Sequence, residues 1–340
     1  MNETRKKFLI ATGIYPPEIG GPAEYTKNLR DTWVKQGYGV EVKIFSKFKK
    51  YPWGLRHMIF FFYIIPSVSR SDYIVALDAF SAGVVTVASK LFRKTIVFRT
   101  GGDMLWEQYT ERTGEKVLLR DFYLTKLKKL SVKEKIIFRL MRWTLRNLSA
   151  IVWSTEWQKN IFMKPYDLEN QKHFIIENYY GPKESDDSAL TKTFVASTRD
   201  LKLKNLELLE RVFKRIKSKN ADIELFKEPL KFSDFMYKIK TCYAVIQVSL
   251  GDISPNMILD AIRHNKPFIC TKEVGIFPRI KEIGIFIDPL NEQEIEHAVL
   301  GLLDEEEYRK ACDKVRQFSF VHTWEDIAKE FLEIVESRKL

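Results

Sequence analysis

The segment from Ala244 to Thr271 constrains the fold of this chain more than any other stretch. Residues 244–248 form a short apolar run rich in β-branched side chains, which is typical of a buried strand in a parallel sheet. Ser254 then stands at the position of a helix N-cap with a proline after it, and Asn265 is a residue type that ends helices. A second buried strand follows at 267–270. The segment therefore predicts a strand, a helix and a parallel strand.

Two carboxylates frame the predicted turn from strand to helix. Asp252 lies in the loop and Asp260 in the second turn of the helix, with seven residues between them. A helix start offers unpaired N–H groups and a partial positive charge, so it can bind a phosphate. Flanking carboxylates can accept hydrogen bonds from sugar hydroxyls, and the combination suits a nucleotide sugar. A solvated loop aspartate and an ordinary surface-helix aspartate would show the same spacing.

The first residues of the chain predict another unit of this kind. Residues 8–11 form a buried strand, and a loop rich in glycine and proline leads through Gly20 and Gly21 into a helix over 24–36 and a strand over 40–45. This order is typical of a doubly wound α/β sheet. Adjacent glycines at a helix entrance let a backbone approach a ligand closely. No G-x-G-x-x-G pattern follows the first strand, which argues against a dinucleotide-dependent dehydrogenase.

Polar side chains follow two further predicted strands. The strand at 95–99 ends in Thr-Gly-Gly and then Asp103, and the strand at 193–197 is followed by Arg199 and Lys204. Open α/β sheets bind ligands at the carboxyl ends of their strands. Two cations there can hold a diphosphate and stabilise its charge as it leaves. A turn aspartate and a charged pair at a strand end are also ordinary surface features.

Length and composition describe a two-domain protein without a metal or a membrane span. The chain has 340 residues, enough for two cores. Its three cysteines, Cys242, Cys270 and Cys312, have no metal or redox spacing, which favours a reducing, cytoplasmic location. No D-x-D motif and no paired histidines occur, so we expect no metal. The amino terminus shows no signal peptide, and no apolar run approaches the roughly 20 residues of a spanning helix.

Charge is distributed unevenly along the chain. Residues 1–180 carry a net charge of +13 and the remainder −2. Within residues 118–148, lysines and arginines alternate with large apolar side chains over a largely helical stretch. Basic amphipathic helices of this type lie on anionic lipid surfaces, which predicts a peripheral protein on the inner face of the cell membrane. A surface helix that packs its apolar side on the sheet is the alternative for part of this stretch.

Three of these motifs, in their order along the chain, resemble those of retaining glycosyltransferases of family 4, which have the GT-B fold. The family pattern is Ser-x-x-Glu, seven residues, Glu-Ala and then a Pro-hydrophobic-Ile strand. This chain matches it, with Asp in place of both glutamates, at Ser249, Asp252, Asp260, Ala261, Pro267 and Ile269. The family also shows Pro-Pro-x-x-Gly-Gly after the first strand, found here at 16–21, and the Arg199 and Lys204 pair at the same spacing.

The resemblance covers the chain from end to end and implies its architecture. The fold class is α/β, with two Rossmann-like doubly wound domains that face each other across a cleft. Residues 1–180 would form the acceptor-side domain and residues 181–322 the nucleotide-sugar-binding domain. Residues 323–340 would form a terminal helix that crosses back to the first domain. The polar segment 181–191 is the predicted linker.

The resemblance also implies an activity and roles for individual residues. The enzyme would be a hexosyltransferase-type glycosyltransferase that moves a sugar from a nucleotide-sugar donor, with retention of configuration, to a lipid-linked saccharide or polysaccharide, without a cofactor. Asp103 and Asp252 would contact the reacting sugar, and Asp260 would bind the ribose. Arg199 and Lys204 would bind the diphosphate. Further contacts with the donor would come from Gly20, Gly21, Ser254 and Asn256.

Two other functions stay open at this point. A GT-B protein that binds a nucleotide sugar without turning it over is suggested by the two aspartates. It is also suggested by the 47 residues between Lys204 and Asp252, fewer than the family usually has. A nucleic-acid binder is suggested by the isoelectric point of about 9.3. It would show a steeply salt-dependent affinity, and it leaves the three donor-site motifs unexplained, so we expect no nucleic-acid partner.

Overall fold

The computed structural model describes residues 6–18, 20–185, 191–196 and 199–337. Contacts divide the chain into two compact units. The first unit comprises Met1–Leu105, Leu130–Asn178 and His322–Leu340, and the second comprises Trp106–Lys129 and Tyr179–Val321. Part of the predicted linker, residues 186–190, lies outside the described residues.

The described residues contain eleven strands in two parallel sheets. The sheet of the first unit has the order β2-β1-β3-β4-β5-β6 and that of the second β11-β10-β9-β7-β8. The predicted α/β fold with two doubly wound sheets is confirmed. The strands are β1 Lys7–Thr12, β2 Gly39–Ile44, β3 Tyr73–Ala76, β4 Ile96–Arg99, β5 Ala150–Trp153, β6 His173–Ile175, β7 Lys192–Val195, β8 Ile223–Phe226, β9 Ala244–Gln247, β10 Phe268–Thr271 and β11 Ile285–Ile287.

Among the described residues, helices connect successive strands within each sheet, and three helices follow the last strand. The helices are α1 Gly21–Lys35, α2 Trp53–Arg70, α3 Ala79–Leu91, α4 Met104–Thr113, α5 Leu119–Thr125, α6 Val132–Leu145, α7 Glu156–Tyr166, α8 Leu206–Lys217, α9 Phe232–Thr241, α10 Asn256–Arg263, α11 Phe277–Ile280, α12 Glu292–Leu302, α13 Glu305–Gln317 and α14 Trp324–Glu336. Helix α8 shows the usual pattern, because its buried leucines, valine and phenylalanine repeat at helical spacing towards the sheet.

The strand order of the first unit assigns its helices to two faces. Right-handed crossovers place α2, α3, α6 and α7 on one face of the sheet and α1 on the other. Helix α14 packs on α1, where the Trp33 indole N–H donates to the Ala328 carbonyl at 3.3 Å. The Trp33 ring also meets Phe331 with centroids 6.0 Å apart, and Tyr25 meets Trp324 at 5.0 Å. The last helix of the chain therefore covers the first helix.

The structure refines one local sequence prediction and corrects another. The stretch 118–148 is largely helical, as predicted, but it is divided, because Ser131 caps a new helix, α6, through a reciprocal capping box with Glu134. Its earlier part belongs to the second unit and α6 to the first. Ser254 is not the cap of α10, because Pro255 with φ −72° and ψ 104° is the last extended residue before the helix. Asn265, with φ 55°, follows the helix in the left-handed conformation, as predicted.

Candidate functional site

The strand order of the second unit fixes where a ligand site can form. Strands β7 and β9 are neighbours, but the connections from them run to opposite sides of the sheet, towards β8 and β10. Ligands of open α/β sheets bind at such a switch point, beyond the carboxyl ends of the strands. The loop after β7 contains Arg199 and Lys204, and the loop after β9 contains Asp252.

Lys204 and Asp252 form an ion pair at this switch point. The Lys204 Nζ lies 2.9 Å from the Asp252 Oδ2, and their side chains are only 10% and 18% exposed. The two loops are also joined through the backbone, since the Leu250 N–H donates to the Leu203 carbonyl at 2.9 Å. The structure thus brings together two of the predicted site residues, which are 48 positions apart in the sequence.

Gln247 belongs to the same cluster and was not predicted from the sequence. It is the last residue of β9, it is buried, and its Nε2 donates to Asp252 Oδ2 at 3.0 Å and to Ser249 Oγ at 3.4 Å. The one available signal was an amide side chain inside an otherwise apolar strand, where a buried polar group needs a partner.

The backbone of Asp252 is anchored on its other side by the loop after β10. Its N–H donates to the Glu273 carbonyl at 2.9 Å, and its carbonyl accepts from the Gly275 N–H at 3.0 Å. Burial raises the pKa of the Glu273 carboxyl. The Arg120 guanidinium, 3.0 Å away, acts in the opposite direction and lowers this pKa. The loop is therefore held on two sides.

The segment between α4 and α5 supports the Asp252 loop from outside. The Leu119 N–H donates to the Leu250 carbonyl at 3.2 Å. Gly251 permits this approach, because a Cβ at this position would stand 2.6 Å from the Leu119 Cβ. A side chain at Gly251 would therefore push the segment away.

Asp260 lies in the second turn of α10, apart from this ion pair. Burial raises the pKa of its carboxyl to about 7, opposed by the charge of Arg263 and assisted by that of Glu184. Arg263 in turn pairs with Glu184, which also lies 3.7 Å from the His264 ring. A ribose hydroxyl bound here would meet a carboxyl that changes its charge near neutral pH.

Asp260→Asn is expected to stabilise the protein at pH 8 by about 1–3 kcal/mol. The folded-state pKa of Asp260 exceeds the unfolded value, so the folded protein binds more protons and wild-type stability falls as pH rises from about 4 to 7. The asparagine cannot ionise, and the difference should shrink towards pH 4. Urea unfolding at both pH values measures it. Asp313→Asn, on an exposed helix face, is the control, and equal stability of Asp260→Asn and wild type at pH 8 would contradict the raised pKa.

The remaining predicted residues of the second unit lie on either side of the ion pair. Arg199 is exposed in the loop after β7. Ser254 is buried before α10, and Asn256 is the exposed first residue of that helix. All three follow the carboxyl ends of β7 or β9, and their predicted contacts with a donor stay predictions.

In the first unit, the predicted residues lie at the starts of two helices. Gly20 precedes α1 with φ 155° and Gly21 is its first residue. Asp103 is buried after β4, and its Oδ1 accepts the Leu105 N–H at 3.0 Å, in the first turn of α4. Asp103 therefore caps a helix, and its contact with a sugar stays a prediction.

Within the ranges that the structure describes, no group of three His, Cys, Asp or Glu side chains could hold a metal ion. Among the described helices, none is both long and apolar enough to cross a bilayer.

Comparison with known proteins identifies the fold. No family model matches the chain, and no curated protein matches its sequence. Solved structures match over almost the whole length. Sucrose-phosphate synthase from Thermosynechococcus elongatus superposes with a TM-score of 0.73 at 10% identity, covering 97% of this chain and 98% of that one. The chain has the GT-B fold.

Two further solved structures carry ligand or pathway names. Anabaena HepE in complex with UDP-glucose matches with a TM-score of 0.64 at 13% identity, covering 97% of this chain and 99% of that one. WaaG, a glycosyltransferase involved in lipopolysaccharide biosynthesis, matches with a TM-score of 0.66 at 12% identity and the same coverage. At these identities the likeness establishes the fold, and assignment to family 4 stays a prediction.

Proposed function

We propose that this protein is a glycosyltransferase that moves a sugar from a nucleotide-sugar donor to an acceptor. One observation carries the proposal: the Lys204 and Asp252 ion pair stands at the switch point of the second sheet. A cation and a carboxylate held together there can bind the two halves of such a donor, a diphosphate and a hydroxyl-rich sugar. Solved structures with this fold support the proposal, because one is in complex with UDP-glucose and another is a named glycosyltransferase.

The chemistry follows from where charge develops during transfer. As the bond between sugar and diphosphate breaks, negative charge grows on the leaving diphosphate, and a nearby ammonium stabilises that charge more than it stabilises the intact donor. Lys204 supplies that ammonium, and Arg199 provides a second cation that can turn towards the phosphate. Asp252 orients the sugar, and Asp260 accepts hydrogen bonds from the ribose. Retention of configuration and hexosyl transfer are proposed on the resemblance to family 4.

The acceptor is proposed to be a lipid-linked saccharide or a polysaccharide at a membrane. Twelve of the nineteen exposed large hydrophobic side chains among the described residues lie on α2, α3 and α6, which share one face of the first sheet. On α6 they form a stripe at helical spacing, with exposed fractions of 40% and above: Val132, Ile136, Leu140 and Trp143. We call the outer side of these three helices the apolar–basic face.

Charge on this face matches an anionic bilayer. Lys133, Lys135 and Arg139 are exposed beside the α6 stripe, and no acidic side chain of α6 is exposed. Lys126, by contrast, pairs with Glu115 in the second unit, so α6 rather than the preceding segment is the proposed lipid contact. Interfacial helices combine inserted apolar side chains with cations at lipid headgroups. We therefore propose that the protein is cytoplasmic and binds the inner face of the cell membrane.

A thermal-shift screen of nucleotide sugars tests the proposed function. A ligand at 100 times its dissociation constant adds about 2.7 kcal/mol of stability, so one donor should raise the melting temperature clearly while unrelated nucleotides do not. Transfer or hydrolysis of that donor then separates an enzyme from a protein that only binds it. If no nucleotide sugar shifts the melting temperature, the proposed function is wrong.

A further inference from the structure

Gln247 occupies an unusual position in the second sheet. Its neighbours along β9 are Ala244, Val245 and Ile246, all of them buried, and its own side chain is only 4% exposed. An amide in such surroundings loses its contacts with water, and any hydrogen bond it fails to make is a direct cost. An apolar residue would fill this place without that cost, so the amide needs an explanation.

The hydrogen bonds of Gln247 explain why an amide occupies this position. We propose that Gln247 is a positioning residue, which fixes the Asp252 carboxylate so that Oδ2 faces the protein and Oδ1 faces the donor sugar. Lys204 Nζ and Gln247 Nε2 reach the same oxygen, Oδ2, at 2.9 and 3.0 Å. Among the described residues no group donates to Oδ1. The inference rests on the proposed function, because it names the oxygen that meets the sugar.

Asp252 Oδ2 needs two donors because Lys204 must also bind the diphosphate. A lysine side chain is a flexible point charge, and a diphosphate would attract it away from Asp252. The Gln247 amide sits on a strand and is held by burial, so its bond to Oδ2 can persist when the ammonium turns to the phosphate. The carboxylate then keeps its orientation during transfer, when misplacement of a reacting group by about 1 Å can cost 100-fold in rate.

The other end of the amide is consistent with this role. Gln247 Oε1 is buried and accepts no hydrogen bond within the described part of the chain. An unsatisfied buried acceptor costs free energy. The bonds that Nε2 makes to Asp252 and Ser249 are therefore the reason to keep an amide at this position.

Gln247→Leu tests the inference through kinetics. Leucine fits the buried site but cannot donate, so kcat for transfer should fall about 10- to 100-fold. Calorimetric affinity for the bare nucleoside diphosphate should stay unchanged, because the amide does not face the phosphate. Ile246→Leu, next to it in the same strand, is the control and should keep the wild-type rate. Wild-type kcat for Gln247→Leu would overturn the inference.

Gln247→Glu adds a readout that a merely structural role would not produce. A protonated glutamic acid can donate to Asp252 Oδ2 as the amide does, whereas an ionised one repels it. The groups that face this site are Lys204, Asp252 and the buried Cys270, whose raised pKa keeps it neutral. Activity relative to wild type should therefore recover as pH falls and decline as pH rises. A relative activity that does not change with pH would overturn the inference.

A stability measurement separates this inference from the proposed function. Burial and the charge of Asp252 should raise the pKa of the new carboxyl in the folded state, as they raise that of Cys270 against the opposing charge of Lys204. The melting temperature of Gln247→Glu relative to wild type should therefore fall as pH rises above about 4. This result needs no turnover. If wild type transfers no sugar but the pH trend is found, the proposed function fails and the contact with Asp252 stands. If the trend is missing, the positioning role fails.

Discussion

Replacement of Lys204 by methionine is expected to lower kcat/KM for sugar transfer by about 10²- to 10³-fold, or roughly 3–4 kcal/mol of transition-state stabilisation. Methionine keeps an unbranched, apolar side chain of similar shape up to the ε position and lacks the ammonium. The charge that grows on the leaving diphosphate then lacks a cationic partner, and Asp252 loses one of the two donors to Oδ2. Steady-state kinetics with the donor identified by thermal shift would measure the loss.

Lys202→Met is the matched control, because Lys202 lies two residues earlier on the same short turn and is exposed. It should keep the wild-type rate. Urea unfolding of both variants would show whether the fold is intact. If Lys204→Met turned over like wild type, or lost no more than Lys202→Met, the ammonium would have no role in the reaction.

Replacement of Ile136, Leu140 and Trp143 together by serine is expected to release the protein from anionic vesicles. Each of these side chains is exposed and none belongs to the buried core, so the unbound fold should tolerate the change. Transfer of a large apolar side chain from water contributes about 1.5–3 kcal/mol when burial is complete. Even partial insertion of three side chains should therefore account for a loss of affinity of about 10²-fold or more. Sedimentation with vesicles measures it.

Phe232 and Tyr237 provide the control, since they are large apolar residues on α9 of the second unit and are even more exposed than the three residues of α6. Their replacement by serine should leave vesicle binding unchanged. Binding of the wild type should fall at high salt, because cations near an anionic surface are screened over about 10 Å. A wild type that ignores anionic vesicles at low salt would exclude the membrane contact and favour a soluble acceptor.

The sheet framework was predictable because its strands are short apolar runs that end at turn-forming residues. The strands predicted at 8–11, 40–45, 95–99, 244–248 and 267–270 begin and end within one residue of the observed strands β1, β2, β4, β9 and β10. Helix α2 was not predicted. It contains Pro66 and carries aromatic side chains around much of its surface, so no single apolar stripe marked it as a helix. The exposed apolar side chains of α2 form part of the apolar–basic face.

Part of the candidate site was predictable because its charged residues lie in the loops after two strands of the sheet. Lys204 and Asp252 follow strands that parallel pairing brings side by side, so their proximity was implicit in the pattern. Gln247 was missed because the sequence of an apolar strand does not show which partner a polar side chain within it will bind. The raised pKa of Asp260 was missed because it depends on burial and on Glu184, which is 76 positions away. Contacts of this kind depend on tertiary packing.

The contact between α1 and α14 has a consequence for the order in which the protein is made. The hydrogen bond from Trp33 to Ala328 spans 295 positions. While a ribosome is still adding the second sheet, the α1 surface around Trp33 and Tyr25 has no helix to cover it. Such unfinished apolar surfaces are the ones that nascent-chain chaperones hold and that aggregate when they are not held. The unit that is translated first is therefore the last to be completed.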